Sequence, residues 1–349
     1  MASRYIDGFG DYVTSGIPYK WDNSNNFALW QITPSTIASG NMISSIAGNT
    51  TYLTKNLNDN YNNVFLGFEF YTSLLPSGVN RSTILSLDDT STIQVSIQVD
   101  SAGRLIIANG NGTIIGSTKP GIVTAANAIF IELFLSVANS ATGSIIVRVN
   151  GNVTENVANV VTGISGFNYI NQITLRQTIN AIIGLNGQNL YDNIYLCDNT
   201  GLSCNNFYGE GEAFTLFPSA NGVLINFTPN GFGSNYLNVN STSPIPLTNF
   251  NSSSTVNDTD VFSIGVLPVN IVSIVCAQIN CLMYKDSGVS HVVQFIISDG
   301  MVFLPSPTNF ALSNSPIYYY QCYDIDPITN TTWSTALIGL RQIGYQILI

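Results

Sequence analysis

Tyr191-Asp192-Asn193-Ile194-Tyr195-Leu196-Cys197-Asp198-Asn199-Thr200-Gly201 decides how this chain is read. Its apolar and aromatic half has the character of a strand, and it runs straight into a polar turn closed by glycine. Upstream, short apolar runs and turns alternate, with a turn signal roughly every ten residues and no helical period. The spacing predicts strands over 64–71, 83–87, 93–99, 104–108, 129–137, 144–150, 170–175, 182–185 and 191–196. The 93–99 run (Ile-Gln-Val-Ser-Ile-Gln-Val) alternates as a half-buried strand should. The 129–137 run is mostly apolar, which places it centrally. Asn150-Gly151 is a hairpin-turn signal. Residues 1–60 read as an entry arm and loops. This is the pattern of a sandwich or jelly roll.

Downstream the rhythm changes. Strands are expected at 212–217, 223–227, 261–264, 269–284, 291–297, 317–322 and 343–349, with 291–297 pairing onto 269–284. Residues 240–260 read as a long polar loop, and 333–340 as a short helix or a loop. The apolar close at Ile349 suits a chain end tucked into a sheet or a partner. The fold class expected is therefore all-β. Two domains are expected, 1–200 and 201–349, the second a β-sandwich for assembly or docking.

Only 9% of the 349 residues are charged, while 45% are hydrophobic. Neutral Asn, Ser, Thr and Gly must therefore supply the polar surface. Such a surface is less costly to desolvate than a charged one, which suits packing in an assembly or contact with neutral ligands such as sugars. The net charge of −10 lacks the basic footprint that nucleic acid requires, and it disfavours anionic lipid. Neither a signal peptide nor a membrane-spanning run is visible, so synthesis in a cytoplasm without secretion is expected.

Candidate chemistry is sparse. The single histidine, His291, opens an alternating strand and has no Gly-x-Ser-x-Gly elbow beside the chain's serines. The strand acids Glu69 and Glu132 stand alone, without the paired carboxylates of a glycosidase, and read as surface positions. Asp88-Asp89 and Asp258-x-Asp260 are expected in turns, where oxygen ligands could hold a cation weakly. The five cysteines show no zinc spacing. Cys197 and Cys204 flank a turn and could pair, or pack as small apolar groups. No catalytic residue, metal or cofactor is expected. Tyr19, Trp21 and Trp30, set in a polar stretch near the start, either stack on a sugar ring or plug the end of a sandwich.

The stretches 143–151 (Gly-Ser-Ile-Ile-Val-Arg-Val-Asn-Gly) and 191–201 resemble the final third of concanavalin A-like (laminin-G-like) jelly rolls in tailed-bacteriophage structural proteins. That family has Gly-x-Ile-x-Val-x-x-Asn-Gly, then Asp-Asp-Ile-Tyr-Val-x-Asp-x-x-Gly. Here Asp192-Asn193 stands where relatives often carry Asp-Asp. Asp7-Gly8-Phe9, Trp21, Phe207-Tyr208-Gly209-Glu210, Thr215-Leu216-Phe217-Pro218, Asp326-Pro327-Ile328-Thr329, Trp333 and Gly344 follow the family's order. The resemblance implies a concanavalin A-like jelly roll over 1–200. It also implies a non-enzymatic virion protein, a head decoration, fibre or tail component. Such a protein would dock onto other capsid or tail proteins, as a homo-oligomer. The alternative it implies is a glycan-binding module for host attachment.

Overall fold

The computed structural model describes residues 3–35, 40–90, 92–164, 166–178, 187–201, 203–241, 248–286 and 288–349. It divides into two compact units, Ala2–Ala213 and Phe214–Ile349. The chain is all-β, as its alternation implies.

The strands of the first unit are β1 Ser3–Asp7, β2 Asn23–Ser24, β3 Trp30–Pro34, β4 Asn41–Ser45, β5 Thr51–Tyr61, β6 Asn63–Thr72, β7 Arg81–Asp89 and β8 Thr92–Asp100. They continue with β9 Leu105–Asn109, β10 Ile114–Ser117, β11 Ile129–Ser136, β12 Gly143–Val149, β13 Asn152–Val160, β14 Ile170–Gln177 and β15 Asn189–Asp198. An eight-stranded sheet runs β13-β12-β11-β6-β15-β4-β3, with β1 added to β15. A seven-stranded sheet runs β10-β9-β8-β7-β14-β5-β2. Every pairing is antiparallel.

Alternation sorts the side chains. Leu66, Phe68, Phe70, Ile131, Leu133, Leu135, Ile145, Val147 and Tyr191 of one sheet are buried, as are Leu53, Leu85, Leu87, Val95, Ile97, Ile173 and Leu175 of the other. Residues with a period of two share one face of a strand, so these positions form the inner layer. Tyr191 fastens the layers: its hydroxyl lies 2.7 Å from the carbonyls of both Ile84 and Arg176 in the opposite sheet.

The first sixty residues are more ordered than their polar composition suggests. β1 to β5 all lie there, because Leu53 and Leu57 keep the inward alternation of β5 while Thr and Asn fill the outward positions. A polar run reads as a loop when the outward residues outnumber the buried ones. β13 was not expected for the same reason. Asn150 and Gly151 adopt φ of 48° and 76° between β12 and β13, the left-handed pair that a tight hairpin needs. The expected strand at 182–185 lies outside the described residues.

The second unit contains β16 Pro218–Ile225, β17 Thr228–Asn230, β18 Phe250–Ser252, β19 Thr259–Ile264, β20 Ala277–Met283, β21 Val292–Ser298, β22 Phe303–Ala311, β23 Ile317–Tyr323 and β24 Gln342–Ile347. A five-stranded sheet runs β16-β19-β24-β21-β22, and β17–β18 and β20–β23 form two ribbons. Ile279 of β20 and Tyr323 of β23 join Phe262, Val293, Phe295, Phe310 and Tyr345 of the sheet in one core. Several expectations change, and the loop expected at 240–260 carries β18 and the start of β19. The strand set at 212–217 begins at Pro218 instead. Of 269–284, only Ala277–Met283 is a strand, because 265–276 exposes Val266, Val269 and Val272 and joins no ladder. β21 therefore pairs with β22 and β24 rather than β20. The apolar close forms β24, between β19 and β21.

Replacing Tyr191 with Phe keeps the ring and removes the hydroxyl that spans the layers. A lost buried hydrogen bond costs about 1–2 kcal/mol. Chemical denaturation of Y191F should show that loss as a lower midpoint with an unchanged slope.

Candidate functional site

The outward face of the seven-stranded sheet is built from alternate residues of four strands. β5 gives Tyr52, Thr54 and Asn56, β14 gives Gln172, Thr174 and Arg176, β7 gives Ser86 and Asp88, and β8 gives Ser96 and Gln98. Register aligns them in rows. Thr54 lies opposite Thr174, Thr174 opposite Ser86, and Ser86 opposite Ser96. Gln172 lies between Asn56 and Asp88. The central hydroxyls are buried, with Thr174 and Ser86 at 0% exposure. Tyr52, Gln172, Arg176 and Gln98 stand half-exposed around them, and Asn56 is exposed. The result is a trough with a floor of small hydroxyl groups and a rim of longer polar chains.

Hydrogen bonds fix this floor. Thr54 Oγ1 and Thr174 Oγ1 lie 3.0 Å apart, and Thr174 donates to Asp88 Oδ2 at 2.7 Å. Arg176 Nε donates to Ser86 Oγ at 2.7 Å, and its Nη2 reaches Asp88 Oδ2 at 3.4 Å. The guanidinium also lies 5.7 Å from the Tyr52 ring centre. Gln172 Nε2 donates to Asn56 Oδ1 at 2.8 Å. Asp88 Oδ1 is buried beneath the rim and has no hydrogen-bond partner. One cation and one anion offset each other, and the remaining groups are neutral donors and acceptors.

The outward face of the eight-stranded sheet is different. Glu132, Gly67 and Tyr195 are adjacent across β11, β6 and β15. Tyr195 lies over Gly67, where an added Cβ would come within 2.1 Å of the ring. The ring can therefore cross the strand, and its hydroxyl donates to Glu132 Oε1 at 2.6 Å. Segment 204–213 folds back over this face. The Tyr208 ring stacks on Tyr195 at 4.2 Å, Gly209 N donates to Glu132 Oε1 at 2.8 Å, and Ala213 N donates to Asn193 Oδ1 at 2.9 Å. Glu132 is fully buried, which corrects the expectation of a surface position. Glu69 lies opposite Asp192 and accepts from Asn193 Nδ2 at 3.2 Å. Burial pushes the Asp192 carboxyl up to about 8, and nearby Glu69 adds to the rise. Burial also raises Glu69, with Glu210 and Glu212 contributing.

The residues singled out for sugar stacking are placed elsewhere. Trp21 and Trp30 are 1% and 0% exposed. Trp21 Nε1 donates to the Tyr12 hydroxyl and Trp30 Nε1 to Thr51 Oγ1, each at 2.9 Å. Neither ring can meet a sugar, and Trp30 packs near Tyr191 in the interior. Tyr19 is half-buried. Asp88 and Asp89 end a strand rather than forming a turn. Asp89 accepts from Thr92 N and Gln94 Nε2. Asp260 accepts from Asn226 N, Phe227 N and Asn235 Nδ2. Among the described residues no group of three or more His, Cys, Asp or Glu is arranged to hold a metal. His291 Nδ1 lies 3.2 Å from the Ile349 carbonyl. The trough residues escaped sequence reading because Thr, Ser and Gln on outward strand positions look like ordinary surface. The recoverable signal was the run Gln172-Ile-Thr-Leu-Arg176, whose alternate residues are all polar.

No family model matches the chain, and no curated protein matches it. Solved structures do. An endo-β-1,4-glucuronan lyase from the fungus Trichoderma reesei is 14% identical, with a TM-score of 0.43 over 56% of this chain and 95% of that one. A mutant of alginate lyase Aly36B in complex with alginate trisaccharide is 10% identical, with a TM-score of 0.40 over 56% and 98%. The cellulose-induced protein Cip1 is 12% identical, with a TM-score of 0.39 over 58% and 94%. A likeness at this level speaks of fold alone. It still corrects the expectation of a non-enzymatic virion docking protein. The structures similar in fold include polysaccharide lyases, so neither that role nor the exclusion of an enzyme is kept.

Asp192 makes stability depend on pH. A carboxyl whose folded-state pKa lies above its ordinary value binds more protons folded than unfolded. Stability is then lost as pH rises through the window from 3.8 to about 8. Denaturant midpoints measured across that window should fall with pH, and Asp192→Asn should flatten the slope, leaving the part due to the other raised carboxyls, Glu69, Asp7 and Asp260.

Proposed function

We propose that the first unit is a glycan-recognition domain that lays a neutral polysaccharide along the trough of the seven-stranded sheet. The observation that carries this reading is the hydrogen-bonded floor of Thr54, Thr174, Ser86 and Asp88 beneath a rim of Tyr52, Gln172, Gln98 and Arg176. Sugar hydroxyls need donors and acceptors fixed in place, since ordering flexible side chains on binding is unfavourable. Arg176 is held by Ser86 and Asp88 before any ligand arrives. Tyr52 supplies an aromatic face beside it.

Charge favours a neutral chain over a uronate. Arg176 is already offset by Asp88, and the net charge of −10 repels a polyanion at long range. The lyases similar in fold bind or cleave glucuronan and alginate, so these polymers form the natural comparison set. The motif resemblance to concanavalin A-like domains of tailed-phage proteins supplies a setting for such a surface, attachment to a host-cell glycan.

The test is a binding screen of the full chain against neutral polysaccharides, alginate and glucuronan, with ultraviolet detection of unsaturated products. Retention on one or more neutral polymers is expected. Arg176→Ala and Tyr52→Ala should each weaken it by about tenfold or more, as expected when a charged or stacking contact is lost. Unsaturated product from a uronate would instead show lyase activity at this surface. Absence of binding to every polymer would remove the glycan reading.

A further inference from the structure

Lys20 and Asp11 meet in the interior of the first unit. Lys20 ends the single helical turn Ile17–Lys20, and Asp11 lies in the segment that leaves β1. Lys20 Nζ donates to Asp11 Oδ2 at 2.7 Å, with 1% of the lysine side chain and 10% of the aspartate side chain exposed. Aromatic rings wall the pair in. Tyr5, Phe9 and Tyr12 are fully buried, and Trp21 is nearly so. Nζ lies 5.4 Å from the Tyr12 ring centre, and the Phe9 ring packs beside those of Tyr12 and Trp21. Asp7 is the neighbouring acid, and its Oδ2 accepts from the Tyr5 and Tyr12 hydroxyls at 2.8 and 2.9 Å. Burial pushes the Asp7 carboxyl up, with Lys20 opposing the rise and Asp11 adding to it, so the surroundings disfavour charge.

We propose that Lys20 and Asp11 condense to an isopeptide bond, an amide between Nζ and Cγ that closes residues 11–20 into a ring and fastens the segment after β1. The ammonium first passes a proton along its hydrogen bond to the Asp11 carboxylate, which leaves an amine facing a carboxylic acid. The Nζ lone pair then adds to Asp11 Cγ and forms the C–N bond. A second proton from nitrogen goes to the departing hydroxyl, the C–O bond breaks, and one water leaves. Nothing is oxidised or reduced, and no co-reactant is consumed. Two features favour closure. The amine and the carboxyl are already in contact, so little freedom is lost on reaction. A buried ion pair is costly to desolvate, and the amide removes both charges from the site. The rings exclude the water that hydrolysis would need. Lys55 is the contrast. It pairs with Asp22 at 3.1 Å, but the Asp22 side chain is 36% exposed, so water reaches that carboxylate and the charged pair is retained. The arginine–aspartate pairs cannot react in this way, because a guanidinium stays protonated.

The experiment holds the purified full chain at neutral pH for several days, denatures it, and measures its intact mass. Most chains should be lighter by one water. Trypsin should no longer cut after Lys20. Chymotrypsin, cutting after Tyr12 and Tyr19, should release a peptide carrying Asp11 joined to one carrying Lys20. Lys20→Arg and Asp11→Ala should each keep the full mass and yield no joined peptides. The unaltered chain decides the matter even where a variant fails to fold. Full mass after incubation, with cleavage after Lys20 intact, would overturn the proposal. So would a lost water that maps to a succinimide at Asp7-Gly8 or Asp299-Gly300, with Asp11 and Lys20 recovered on separate peptides.

Discussion

The hydroxyl of Tyr191 reaches across the first sandwich to two carbonyls of the opposite sheet, and much of the architecture depends on that span. A tyrosine in the interior is best stabilised when its hydroxyl finds a partner there. With its one proton set between the carbonyls of Ile84 and Arg176, Tyr191 fixes the separation and lateral position of β15 against β7 and β14. The adjacent residues of β15 then act on the other side of the sheet. Asn193, with φ of 51°, marks the register shift between Asp192 and Tyr195. Asp192 and Tyr195 consequently both face outward, at different rows. One strand thus sets the core and also organises the covered face beneath segment 204–213.

Alternation was legible wherever apolar residues were dense. The strands at 64–71, 93–99, 129–137 and 144–150 appear within a residue or two of their expected bounds. It was illegible where Asn and Thr hold the outward positions, as in β5 and β13, since the pairing energy there comes from neighbouring strands and not from local composition. The run 265–276 shows the opposite failure. Valine at 266, 269 and 272 suggests a strand, yet no partner strand is there to receive it. Site residues were harder still. Trp21 and Trp30 stand out in a sequence because they are large and rare, and for the same reason they are the side chains that a core most readily takes up. Thr174 and Ser86 do not stand out at all, and only the register of three strands brings them together.

Low charge content explains how polar groups are handled throughout. Two of the buried ion pairs are closely coordinated. Arg341 donates to both oxygens of Asp326, Nε to Oδ1 at 3.0 Å and Nη2 to Oδ2 at 2.5 Å, while Thr329 adds a third donor at 2.6 Å. Lys20 meets Asp11 at 2.7 Å with 1% of its side chain exposed. Such pairs are costly to desolvate and are retained where geometry satisfies every lone pair. The Asp-Pro-Ile-Thr stretch noted from sequence is thus a structural turn, closed by an arginine fifteen residues later.

The two outward faces of the first unit show why the trough is the better place for a ligand. On the eight-stranded sheet, Tyr208 covers Tyr195, Gly209 satisfies Glu132, and Ala213 satisfies Asn193. A ligand there would have to displace the chain's own contacts and leave a buried carboxylate without its donors, a change that costs more than a typical hydrogen bond returns. On the seven-stranded sheet the side chains satisfy one another sideways, within the floor, and the rim remains half-exposed. A ligand there adds to an existing network without dismantling one. Recognition of neutral hydroxyls, as proposed above, needs that arrangement: groups already oriented and little charge to desolvate.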